Sequence, residues 1–338
     1  MYHQEDRMAS RLLLLVVIVS LTFPVSSLSQ QACRAEFFVG VIGATGDSFR
    51  GLGADDFSAR AAKSAIAIKS VSFDDGPRRV LFVVDNGKKI NSNTRKVEIE
   101  MVNAMMAAGR PGDTFALIAT HGANRTAKFG EERANLTSVL AQEVDSKSGA
   151  TVGALDALME GIEWFGAPAN GDAIVVIAAE LEGSHKANPK AVAKALAEHR
   201  IRMFGLALGP VATKSVVAGG TMTSTTSQGL AYTTPGVGDM VYNTGDENFF
   251  PLTSRSGGLV LGVLGGSRQA YNLEDPKTKQ MLGQKARQVF SMIGTFYRVE
   301  IVPPQLSHPE DIKVDVVERI HKIAPQMWLL YPVELGPC

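Results

Sequence analysis

Asp85 is the residue on which any chemistry in this chain would be built. It closes the stretch RRVLFVVDNGKKIN (78–91), in which 80–84 is an unbroken apolar run and Asn86-Gly87 turns the chain as soon as the carboxylate emerges. An apolar run of that length, bounded by a turn, reads as a parallel strand buried on both faces. Ligands of open α/β sheets sit at the carboxyl ends of the strands, so the loop after Asp85 is the first place to look for a site. His121 and His185 also follow strand-like runs and reach for the same rim. A carboxylate beside imidazoles is material for acid–base work or metal binding. The remaining signatures of such chemistry are missing. The six histidines, at 3, 121, 185, 199, 308 and 321, form no HExxH and no close ligand pair, and no Gly-x-Ser-x-Gly elbow occurs.

A glycine-rich stretch, VIGATGDSFRG (41–51), has the look of a dinucleotide-binding turn but lacks its parts. Phe49 stands where the third glycine is required, and Gly51, Gly53 and Asp55-Asp56 break the helix that should follow. A hairpin turning at 43–47 accounts for it better, and no cofactor is expected.

The elements that must position Asp85 follow from periodicity. Val97, Met101, Val102, Met105 and Met106 share one face of a helix beginning near Thr94, with the methionines as core filler. Residues 114–120 read as the next strand. After it, His121-Gly122-Ala123-Asn124 reads as a turn and 125–129 as an antiparallel return, where a nucleotide fold would have a helix. A helix over 152–162, strands over 173–179 and 201–208, and a helix capped by Asn188-Pro189 continue the alternation. The Gly/Thr/Ser-rich segment 211–248 is too long for an ordinary connection and reads as a functional excursion or a mobile loop. Strand character resumes at 258–264. A helix capped by Asp275-Pro276 leads to an edge strand at 297–302, and two more strands are expected at 312–317 and 327–333. The fold class is thus α/β, a doubly wound and mostly parallel sheet. A small β module is expected from the N- and C-terminal segments, each too small for its own core.

The chain has 338 residues, 34 basic and 34 acidic, which argues against nucleic-acid binding by bulk charge. Residues 1–29 read as a signal peptide: Arg7 and Arg11 precede the apolar run 12–23, and Ser27-Leu28-Ser29 suits cleavage, the alternative being an uncleaved membrane anchor, for which the run is short. No later stretch is long and apolar enough to cross a bilayer. The mature protein is therefore expected to be secreted or periplasmic, with no stable membrane insertion. The domain reading is 30–77 for an N-terminal β segment, 78–302 for the α/β domain and 303–338 for a C-terminal β appendage. Asn124-Arg125-Thr126 and Asn135-Leu136-Thr137 match the glycosylation acceptor pattern.

The hairpin in place of a helix, within this order of elements, resembles the von Willebrand factor A domain. Gly51-Leu52-Gly53-Ala54-Asp55-Asp56-Phe57 is similar to the G-L-x-x-x-D-F turn of the acidobacterial von Willebrand factor A-related family. Residues 297–303 and Ile312-Lys313-Val314 are similar to that family's closing segments. The resemblance implies a bacterial source and a protein-binding scaffold. It also implies a divalent-cation site of Asp-x-Ser-x-Ser, a later Thr, and an Asp after the fourth strand. Asp85 matches the first position and Thr151 the threonine, while Gly87 and Lys89 replace the serines and Ala179 the second aspartate. Such a site is a poor trap for a hard cation, which wants oxygen ligands. Lys89 is placed to pair with Asp85 instead. Asp85, Thr151 and Glu180 remain weak metal candidates. The partner-binding rim is assigned to Asp85, Asn86, Lys89, His121, Thr151 and Glu182, with no catalytic residue. The resulting reading is an exported, non-catalytic binding module for a protein partner. The alternative is an exported hydrolase with its site under 211–248.

The two cysteines, Cys33 and Cys338, stand near either end of the mature chain. They suit a disulfide in an exported protein, two free or intermolecular thiols, or, less well, a lipid anchor at Cys33. A disulfide here closes a very long loop. Reduction would then lower the melting temperature, with a stability loss of up to about 4–5 kcal/mol in the simplest entropic treatment. Thiol titration of the unfolded, unreduced protein is the check, and two free thiols there would exclude the bond.

Overall fold

The computed structural model describes residues 36–43, 46–61, 64–87, 92–142, 150–178, 186–207, 232–234, 237–240, 249–262, 273–302, 310–325 and 327–335. In chain order, the first strands are β1 (Glu36–Ile42), β2 (Phe57–Ala61), β3 (Ser64–Ile66), β4 (Ile68–Asp74) and β5 (Arg79–Val84). Then come α1 (Ser92–Ala108), β6 (Thr114–Ala119), β7 (His121–Gly122), β8 (Thr126–Ala127) and α2 (Arg133–Ala141). The middle of the chain forms β9 (Ala150–Thr151), α3 (Ala154–Glu163), β10 (Ala173–Ala178), α4 (Pro189–Glu198) and β11 (Arg202–Ala207). A short hairpin, β12 (Tyr232–Thr234) and β13 (Val237–Met240), precedes α5 (Phe249–Ser256), β14 (Val260–Gly262) and α6 (Pro276–Gly294). The chain closes with β15 (Phe296–Ile301), β16 (Glu310–Val316), α7 (Glu318–Ile323), β17 (Trp328–Leu330) and β18 (Glu334–Leu335).

The main sheet runs β14-β11-β10-β5-β6-β8. Its pairings are parallel except for β8, which returns antiparallel to β6. β5 lies between β10 and β6, and every residue of 80–84 is fully buried, as expected of the apolar run. Alternation assigns its side chains to two cores. Val80, Phe82 and Val84 face α1, α2 and α6, whereas Leu81 and Val83 face α3, α4 and α5. Helices thus cover both faces, which is why the strand tolerates no polar residue until Asp85. Gly161 lets α3 lie close to the sheet, since a Cβ there would sit 2.2 Å from Leu81 Cδ2. The turn at 43–47 is a hairpin, closed by Gly43 N–H to Asp47 O at 2.8 Å. Among the described residues, the stretch is followed only by a short 3₁₀ turn, Ala54–Asp56, before β2.

Two further sheets, β17-β1-β15-β4 and β18-β16-β2-β3, are drawn from both ends of the described chain. β16 pairs antiparallel with β2, and β17 with β1. The two sheets share one core, including Val39, Phe57, Tyr297 and Val314. Tyr297 ties it together by accepting from Leu52 N–H at 3.1 Å and donating to Phe49 O at 3.0 Å. The strand expected at 297–302 as an edge is instead interior: β15 pairs with β1 on one side and β4 on the other. Tyr297, Val299 and Ile301 fill the sandwich core, while Arg298 on its other face bonds Glu36 at 3.0 Å. α5 and α7, of eight and six residues, have no counterpart in the sequence reading.

Where α6 hands over to β15, its last carbonyls have no helical partner. Arginines supply the donors. Arg202 donates to Met292 O and Ile293 O, while Arg78 and Arg110 each donate to Gly294 O at 3.0 Å. The Phe296 ring lies between two of them, 4.5 Å from the Arg78 guanidinium and 4.4 Å from that of Arg202. Burial, and next the Arg78 charge, push Arg202 down to about 9, so it stays charged at neutral pH. Arg202→Ala leaves carbonyls without donors and opens a cavity, with an expected loss of about 3 kcal/mol or more. Urea unfolding reads this directly, and a loss under about 1 kcal/mol would show that the junction stands without it.

Candidate functional site

The tips of β5 and β6 meet through polar groups. Asp85 N–H continues the ladder to Ile177 O and Thr120 N–H bonds Val84 O, each at 2.9 Å. From there the side chains take over. Thr120 Oγ1 lies 2.9 Å from Asp85 Oδ1, 2.9 Å from His121 Nδ1 and 3.2 Å from Asn86 N, whose N–H it accepts. Gly87 N–H donates to the same Asp85 oxygen at 3.2 Å. Thr120 is thus the hub of the rim.

Asn86, expected to face a partner, is a clamp instead. It is only 5% exposed, and its amide imitates a strand by donating to His121 O at 3.0 Å and accepting from His121 N–H at 2.8 Å. This fixes the segment that sequence reading takes for a simple turn. His121–Gly122 is extended and pairs antiparallel with Ala150–Thr151, placing His121 directly opposite Thr151. Val152 N–H then bonds Thr120 O at 2.9 Å. Three of the expected rim residues, Asp85, His121 and Thr151, are therefore brought together, with Thr151 exposed. Lys89, Glu180, Glu182, Ala179 and His185 lie outside the described residues, as do Cys33, Cys338 and most of 211–248.

Gly87 occupies the first position where the resemblance expects a serine. A Cβ built on it would lie 3.0 Å from His121 Cε1 and 3.2 Å from Asp85 Oδ1. The imidazole has moved into the space a side chain would need. Among the described residues, no group of three or more His, Cys, Asp or Glu side chains is arranged to hold a metal ion. No described helix is long and apolar enough to cross a membrane.

One buried group near the rim escaped sequence reading. Glu98, on α1, is 1% exposed, and neither carboxyl oxygen has a hydrogen-bond partner among the described residues. Burial, then the like charge of Asp85, raise it to about 9, with Arg95 pulling weakly the other way. The signal was available: Glu98 precedes Met101, Val102 and Met105 by three, four and seven positions and so shares their apolar face.

Comparison with known proteins finds only distant similarity. No family model and no curated protein matches the sequence. Among solved structures, a von Willebrand factor type A protein from Catenulispora acidiphila is 9% identical, with a TM-score of 0.41 over 91% of this chain and 64% of that one. The SpRpn10 VWA domain is 11% identical, with a TM-score of 0.37 over 58% of this chain and 92% of that one. Proximal thread matrix protein 1 from the mussel byssus is 14% identical, with a TM-score of 0.31 over 41% of this chain. The chain spans only 38% of that mussel protein's length.

Glu98 gives the protein a pH signature. Its folded-state value of about 9 stands above the ordinary 4.5, so the native state keeps a proton that the unfolded chain releases. Its contribution is complete below 4.5 and is lost as pH rises through the window to about 9. Within that window the slope from this group alone approaches about 1.4 kcal/mol per pH unit. Glu98→Gln should flatten the stability profile between pH 5 and about 9. Parallel profiles for the two proteins, measured by denaturant unfolding, would refute the assignment.

Proposed function

We propose that this chain is an exported, non-catalytic protein-binding module on a von Willebrand A-like scaffold, and that its rim works without a divalent cation. The scaffold reading is supported by the mostly parallel sheet with helices on both faces and the β6–β8 return where a nucleotide fold has a helix. Export rests on the signal-like 1–29 segment, and the bacterial source on the resemblance in sequence.

The observation that carries the functional reading is the closure of the Asp85 corner by its own groups. Asp85 Oδ1 takes the Thr120 hydroxyl and the Gly87 N–H, and the His121 ring fills the gap beside Gly87. A hard cation needs several oxygen ligands, whereas this corner offers an imidazole and a backbone N–H in their place. Thr120 Oγ1 lies 2.9 Å from His121 Nδ1, but this hydroxyl is buried and donates to Asp85, so we read the exposed part of the rim as a surface for recognition. A protein is the partner class that suits such a scaffold, and a pull-down from the native envelope fraction is the direct route to it.

The cation claim is checked by calorimetric titration of the chelated protein with Mg²⁺, Ca²⁺ and Mn²⁺. No binding heat and no thermal shift are expected with any of them. Micromolar binding abolished by Asp85→Ala or Thr151→Ala would establish a working metal site and overturn the reading.

A further inference from the structure

Two Asn-Gly pairs occur in the chain, Asn86-Gly87 and Asn170-Gly171, and the main sheet places them at its opposite ends. Asn86 follows β5 at the rim, while Asn170 stands in the turn that leads into β10. Such pairs carry a reaction of their own, one reason asparagine is thermolabile. With no side chain on glycine to hinder it, the glycine nitrogen attacks the asparagine Cγ and closes a succinimide ring. The nitrogen gives its proton to solvent, the Cγ–Nδ2 bond breaks, and Nδ2 leaves as ammonia with a proton from water. Water then opens the ring at either carbonyl. One opening gives aspartate; the other gives isoaspartate, in which the main chain runs through Cβ.

The fold treats the two pairs differently. At Asn86 both reacting groups are held. Its amide donates to His121 O at 3.0 Å and accepts from His121 N–H at 2.8 Å, and Gly87 N–H donates to Asp85 Oδ1 at 3.2 Å. The side chain is buried as well, so reaction there must wait for a local opening. Asn170 is exposed. Among the described residues, neither its amide nor the Gly171 N–H has a hydrogen-bond partner.

Gly171 cannot be exchanged for a slower neighbour. Its φ of 80° is left-handed, and a Cβ there would lie 2.6 Å from Arg78 Cδ and 2.8 Å from Phe296 Cε1, within the junction at the end of α6. The junction therefore demands glycine, and the asparagine before it inherits the reactivity. Just beyond lies Asp172, buried and bonded to Arg79 Nε at 2.8 Å and Nη2 at 2.6 Å. The same carboxylate accepts Ala169 N–H at 2.9 Å, so both ends of the turn are tied. Isoaspartate at 170 adds a main-chain atom between those ties. Aspartate leaves the main chain as it was.

We propose that Asn170 is a site of spontaneous modification in the folded protein, converting to aspartate and isoaspartate, and that the isoaspartyl form loosens the Asp172–Arg79 clamp at the base of the sheet.

The test follows the folded protein at neutral pH by peptide mapping in a mass spectrometer, beside a portion unfolded in guanidinium chloride. Isoaspartate is counted by methyl transfer from a carboxyl methyltransferase specific for that residue. Asn170 should convert in the folded protein at close to its unfolded rate, with isoaspartate among the products. Asn86 should convert at least ~10-fold more slowly folded than unfolded, as for a group that reacts only on opening. Asn170→Gln, an exposed change, should remove the methyl-accepting signal from the folded protein. Asn170→Asp should melt with the parent, whereas the isoaspartyl fraction should melt lower. An Asn170 that converts only when unfolded would overturn the proposal, as would equal conversion at Asn86 and Asn170 in the folded state. A methyl-accepting signal that survives Asn170→Gln would overturn the assignment to this residue. An isoaspartyl fraction that melts with the parent would overturn the loosening of the clamp.

Discussion

The end of α6 is where the α/β sheet and the β sandwich are joined, and the joint depends on filling the helix's orphan carbonyls in a dry place. Water cannot serve a junction this buried, so protein donors must. Arg78, Arg110 and Arg202 supply them, coming from the start of β5, the loop before β6 and the start of β11. Positive groups at a helix C-terminus also meet the negative end of its dipole. Because Arg78 also bonds Asp74 at the end of β4, the same contact holds the chain as it crosses from one sheet into the other. β5 is thereby anchored at its base. With a rise of about 3.3 Å per residue, that base sets where Asp85 emerges roughly 20 Å away.

At the tip the governing fact is a shortage of proton donors and acceptors of the usual kind. Gly87 brings none from its side chain, and the neighbouring groups rearrange to satisfy what remains. Asn86 turns inward to hold the His121 backbone, and Thr120 bridges Asp85 to the imidazole. The result is a rim held by its own bonds, with Glu98 kept neutral close by, first by its burial and then by the like charge of Asp85.

Much of the architecture is legible because it is local. The apolar run at 80–84 can only be a doubly covered strand, and Met101, Val102, Met105 and Met106 can only face a core. Phe49, Gly51 and Gly53 exclude a dinucleotide turn without any structure. The polar stretch after 120 announces a return strand rather than a helix, which sets the topology apart from nucleotide folds. Each conclusion depends on neighbours within one turn or one strand, where spacing alone decides which face a side chain occupies.

What the chain could not announce depends on which distant segments become neighbours. His121 meets Thr151 only because β7 and β9 pair, and Asn86 becomes buried only because that pairing brings the His121 backbone to it. The interior place of β15 follows from β1 and β4 flanking it, although its own alternation fits an edge equally well. Glu98 shows the division within one residue: periodicity puts it on the apolar face of its helix. Whether a carboxyl there reaches water or is sealed beside Asp85 is settled by how α1, the sheet and α6 close over it. Amino-acid sequence determined the elements and their faces, because those follow from backbone geometry. Tertiary structure alone decided which polar atoms were left with partners, because burial and desolvation are properties of the packed whole.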